Sequence, residues 1–268
     1  MIRDVTAELL VLRKRAATWI LLGIWTALGI FFAYVIPYAL DPEDAPGRLR
    51  EFLPESLAGT LLQGFPFFGG VFALMLGVFA FGSEFTWGTL TTLFTQRSGR
   101  SRVLASKLLA LGIVLALFVV SLFVAGAIAS FTIARIEDAP ASWPSAWLLV
   151  RALAAGWLIL GVWAAVGVLL GVLTRGTSLA IGVGILYALV IEGLLSALAD
   201  SVDFVLLRSN GYSVATALGA SQASIANSGP GSFSGPFAGS AQAIAVLLAI
   251  TCVLIAVSGL LLRRRDVT

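Results

Sequence analysis

Histidine does not occur anywhere in the 268 residues, and its absence removes Ser-His-Asp and Cys-His nucleophile pairs, histidine-ligated zinc and the usual general base. Cysteine occurs once, as Cys252 inside an apolar run, so neither an internal disulfide nor a cysteine-pair metal site can form, and the thiol reads as a small hydrophobe. No GxxxxGK(S/T) phosphate loop is present. The chain is therefore not expected to be an enzyme, nor to hold a cofactor or metal of its own. Charge is scarce too: 12% of residues are charged and 59% hydrophobic, where an ordinary soluble domain carries about a quarter charged. The bilayer is the solvent this composition suits. A pI near 9.4 would fit nucleic acid, but the basic residues sit in short clusters beside apolar runs, where they orient a protein in a membrane, so no nucleic-acid partner is expected.

What is present is long apolar runs. About 20 residues at about 1.5 Å rise cross a hydrocarbon core of about 30 Å. Six runs qualify, at about Ala16 to Leu40, Phe65 to Gly82, Val103 to Ala134, Ala152 to Leu173, Ser178 to Ala199 and Ala238 to Leu262. The expected fold is all-α: a single polytopic membrane domain. The second run is short and holds Pro66, Gly69, Gly70 and Gly77, which leaves a re-entrant segment open there.

Lys and Arg concentrate in cytoplasmic loops. With the N-terminus inside, Arg3, Arg13, Lys14, Arg15, Arg97, Arg100, Arg102, Lys107, Arg175 and Arg263 to Arg265 fall on the inner side against Arg48, Arg50, Arg135, Arg151 and Arg208 outside, while Asp41, Glu43, Asp44, Glu51, Glu55, Glu137, Asp138, Asp200 and Asp203 fall outside. Both termini are thus expected in the cytoplasm and the chain in the cell's inner (plasma) membrane. Residues 1–15 precede a run too long for a signal peptide. Ile2, Val5, Leu9 and Leu12 recur there at helical spacing opposite Arg3, Asp4 and Glu8, predicting an amphipathic helix on the inner membrane surface; a frayed tail is the alternative. Gly167 and Gly171 form a GxxxG, and Gly182 and Gly184 add small residues to the next run, which reads as close helix packing. From 200 to 237 the chain is rich in Ser, Gly, Ala and Pro and includes SGPGSFSGP at Ser228 to Pro236, a stretch unsuited to regular structure. It reads as an outer loop, either a flexible connector or a gate of short helices.

Glu192 is the acid placed well inside an apolar run, where a charge costs roughly 2.5–3.5 kcal/mol on insertion scales. A substrate, proton or ion contact is one reading, and an interhelical hydrogen bond near the outer leaflet is the other.

The link between the second and third runs, GSEFTWGTLTTLFTQRSGRSRVLASKLLA from Gly82 to Ala110, carries the most information. Trp87, Leu90 and Phe94 recur at helical spacing with Leu93 beside them, giving a short helix an apolar stripe that can dock into a groove of another protein. Lying on lipid headgroups is the plainer alternative. The order of Glu84, Gly88, Thr89, Leu90, Leu93, Thr95, Ser101, Arg102 and Lys107 resembles the signature of ABC type 2 (ABC-2) exporter permeases. The family often has proline in the turn where Gln96, Arg97 and Ser98 stand. The resemblance implies that residues 84–95 form a coupling helix seated in a separate ATP-binding subunit, through Glu84, Trp87, Gly88, Thr89, Leu90, Leu93, Phe94, Arg97 and Arg100. It implies two copies of that subunit, with ATP and Mg bound there, and a second permease, identical or homologous, in the membrane lipid. A secondary transporter or channel using Glu192, and a non-transporting immunity or assembly module, are the competing readings.

Overall fold

In the computed structural model, residues 2–40, 49–86, 100–198, 203–222, 225 and 239–264 are described, and among them there are helices and turns but no strand. Helix α1 (Ile2–Lys14) meets α2 (Ala16–Ile30), which continues through a π-helical turn at Phe31–Val35 to Ala39. A turn at Leu49–Phe52 leads to the short helix α3 (Leu57–Leu62). A π-helical turn at Phe65–Gly69, begun beside Pro66, opens α4 (Gly70–Thr86). Then come α5 (Arg100–Ile136), α6 (Ala146–Thr174) and α7 (Thr177–Leu186), the last running through a third π-helical turn at Tyr187–Ile191 to Leu198. Helix α8 (Leu207–Thr216) and α9 (Ser240–Arg264) complete the chain.

Among the described residues six helical stretches are long and apolar enough to cross a membrane: Ala16–Ala39, Phe65–Ser83, Arg102–Ile136, Ala146–Thr174, Thr177–Leu198 and Ser240–Arg263. The chain is an all-α polytopic membrane protein. The second stretch is a continuous helix, and the proline and glycines that raised a re-entrant alternative sit in its opening turn or against a neighbour. Helix α6 starts at Ala146, ahead of the expected Ala152, because Ser145 caps it: its Oγ accepts the Leu148 N–H at 3.2 Å. Its far end turns through Arg175, held in the left-handed region at φ 53°.

Helices α4 and α6 form the centre, with 67% and 61% of their membrane-crossing residues buried against 11% for the first and last spans. Glycine makes their approach close. A Cβ on Gly77 would stand 2.1 Å from the Ala164 carbonyl oxygen, and one on Gly167 would stand 2.1 Å from that of Leu74. The Gly167–Gly171 spacing thus serves packing inside one chain. Helix α5 is tied to α2 by Trp25 Nε1, which donates to the Phe118 carbonyl at 3.0 Å, and to α6 by Trp157 Nε1, which donates to that of Gly112 at 2.8 Å.

Candidate functional site

The sequence-predicted coupling residues belong to the end of α4, the start of α5 and the stretch between them. Trp87, Gly88, Thr89, Leu90, Leu93, Phe94 and Arg97 lie outside the described residues. Glu84 belongs to the last turn of α4 and Arg100 to the first of α5, their side chains likewise outside the description. What the structure does describe is how the two helices flanking the link are held.

Both are fastened to the N-terminal segment, one to α1 and the other to its junction with α2. Lys107 Nζ, in the second turn of α5, meets Glu8 Oε2 at 2.8 Å, with side chains 4% and 9% exposed. The ammonium also lies 5.8 Å from the centre of the Phe81 ring of α4. Arg15, just after α1, donates from Nη1 to the Phe79 carbonyl of α4 at 2.6 Å. A buried pair of this kind is a strong local constraint, because removing either partner leaves a desolvated charge behind. Gly82 of α4 approaches the α6–α7 turn, where its Cβ would stand 3.2 Å from the Gly176 carbonyl oxygen. The end of α4, the start of α5, α1 and the Thr174–Thr177 turn therefore share one end of the molecule.

Glu8 corrects the expectation that it faces away from the apolar stripe. Val5, Glu8 and Leu12 follow an i, i+3, i+7 spacing, so they share a face, and Glu8 and Leu12 are both buried against the bundle. That spacing was visible in the sequence. The partner was not, since Lys107 is 99 positions away.

The other candidate, Glu192, follows the π-helical turn of α7 and is wholly buried. Its Oε1 accepts the Arg208 backbone N–H at 3.0 Å, capping the first turn of α8, while Oε2 has no hydrogen-bond partner. The geometry is that of an interhelical hydrogen bond. Helix α8 itself is buried from Leu207 through Ala215. A flexible connector does not describe this part of the 200–237 stretch, whereas a short buried helix does; SGPGSFSGP lies outside the described residues. Asn210 Nδ2 donates to the Phe204 and Leu206 carbonyls at 3.0 and 2.8 Å, and the Arg208 guanidinium lies 5.4 Å over the Phe67 ring. Burial pushes the Tyr212 phenol up to about 12, with the Arg208 charge pulling it down and Glu192 adding to the rise. Gly211 lets α8 settle on Pro66, whose Cβ a Gly211 Cβ would meet at 2.9 Å. Among the described residues no cluster of three His, Cys, Asp or Glu side chains could hold a metal ion.

The profile of a family described as "Protein of unknown function (DUF2705)" matches residues 5–268, so the chain belongs to that family. No curated protein matches the sequence.

Proposed function

We propose that this family member is the transmembrane permease subunit of an ATP-driven ABC exporter of the ABC-2 type, in the cell's inner (plasma) membrane with both termini cytoplasmic. The observation that carries the reading is the fastening of both helices that flank the 87–99 link to the N-terminal segment, α5 to α1 through Glu8–Lys107 and α4 to the α1–α2 junction through Arg15–Phe79. A push on the link then reaches α4, α5 and α1 together, and α4 is packed backbone to backbone on α6. The resemblance of Gly82 to Ala110 to the ABC-2 signature supplies the source of the push. A separate subunit binds ATP and Mg, closes on nucleotide, and shifts two paired permeases between inward-closed and outward-open states. Substrate passes between the two permeases.

In this reading the chain co-purifies with an ATPase in detergent, and Trp87→Asp or Phe94→Asp abolishes the association by placing a charge in the docking stripe. A complex that survives both substitutions overturns the assignment. One observation favours a second reading: the buried, unpartnered Glu192 Oε2 suits an ion- or proton-driven transporter. Flux driven by a proton gradient through the chain alone in liposomes, stopped by Glu192→Gln, would select it.

A further inference from the structure

Docking of α1 through Glu8 and Leu12 turns its opposite side outward, where cations stand among the exposed Leu10 and Val11. Arg3, Arg13 and Lys14 are exposed there, while the Glu8 carboxylate is spent on Lys107. The C-terminal end of α1 is fixed over a particular strip of α2, because Trp19 Nε1 donates to the Arg13 carbonyl at 2.7 Å. Trp19 itself is 50% exposed, as expected of an indole at a membrane surface. One turn below it, Gly23 leaves a notch: a Cβ there would meet nothing within 4 Å. Ile20 and Ile24, 58% and 43% exposed and one helical turn apart, stand side by side along one edge of that notch. Two cations at the end of α1 are thus followed, down the lipid-facing side of α2, by an interfacial indole and an exposed apolar strip beside Gly23.

We propose that this is a binding site for a single anionic phospholipid, with the headgroup phosphate on Arg13 and Lys14 and an acyl chain over Gly23 alongside Ile20 and Ile24. The charge selects the lipid: a zwitterionic headgroup offsets its own phosphate with an amine, whereas phosphatidylglycerol presents net negative charge to two cations. The bound lipid presses α1 onto the bundle from the side opposite Lys107. The site stands whether or not an ATPase docks on the link, so its test is separate from that of the export reading.

The purified full chain in detergent is titrated with phosphatidylglycerol or phosphatidylcholine, and retained lipid is read by native mass spectrometry. Phosphatidylglycerol is expected to be retained in preference. The Arg13→Gln/Lys14→Gln double variant weakens it about 30-fold, from about 1 kcal/mol per basic residue. The charge-keeping pair Arg13→Lys/Lys14→Arg preserves the preference, and Gly23→Phe lowers retention of both lipids by filling the notch. Equal retention of the two lipids, or an unchanged double variant, overturns the proposal. So does displacement of phosphatidylglycerol by millimolar inorganic phosphate, which would make this a site for soluble anions.

Discussion

Gly77 and Gly167 face each other's helices across the α4–α6 contact, each where a methyl group would collide with a carbonyl oxygen at 2.1 Å. Backbone cannot rotate out of the way as a side chain can, so Gly77→Ala and Gly167→Ala must part the helices. Each is expected to cost about 1–3 kcal/mol or more in thermal unfolding in detergent. Gly161→Ala, in the same helix α6 but with nothing within 4 Å of the added carbon, is the control expected to lose nothing. Equal melting of all three variants would mean that the contact is not close. At this scale the sequence is half legible. The spacing of Gly167 and Gly171 signals close approach, yet Gly77, its counterpart, read as a reason to doubt the second span. Which backbone a glycine admits depends on a partner that local pattern does not contain.

An element's face is legible only when its neighbours are. The apolar period of α1 is plain in Val5, Leu9 and Leu12, and the helix exists as Ile2–Lys14; that Glu8 belongs to the buried side follows from its pairing with Lys107. Helix α8 was harder to see. Its Ser, Asn, Gly and Arg content lacks an apolar stripe, and it is helical because Glu192 caps its first turn and Gly211 lets it pack on Pro66. Neither contact is local. For α1 the consequence can be measured. Glu8→Gln or Lys107→Met alone is expected to destabilise the docked helix by about 3–5 kcal/mol, while the double variant Glu8→Leu/Lys107→Met is close to neutral. Limited trypsin digestion reads the difference, since an undocked α1 is cut faster at the exposed Arg13 and Lys14. Single variants as resistant as the parent would show that the pair does not hold α1.

Aromatic side chains mark two levels on the whole molecule. Trp19 lies beside Arg13 at one, and at the other Phe131 stacks on Trp143 at 6.4 Å, with the Arg135 guanidinium 5.0 Å from the Phe131 ring and Trp147 70% exposed nearby. These are the belts expected at bilayer surfaces. The six-span plan was legible because crossing about 30 Å of hydrocarbon leaves a long, uncharged imprint in any sequence. Helix ends left none: the 35 residues Arg102–Ile136 measure about 52 Å, so α5 must tilt and overhang. Lys107 is locked to Glu8 of α1, and residues 100–106 extend α5 about 10 Å past that pair. The export reading requires that end of the bundle to be cytoplasmic. In a Cys252→Ser background, a cysteine at Arg175, on the turn beside Gly82, should react with a membrane-impermeant maleimide only after cells are opened. A cysteine at Ser142, exposed at the aromatic end, should react in intact cells. The reverse pattern would put the link outside the cell, beyond the reach of ATP, and would remove the export reading while leaving the bundle and its lipid site intact.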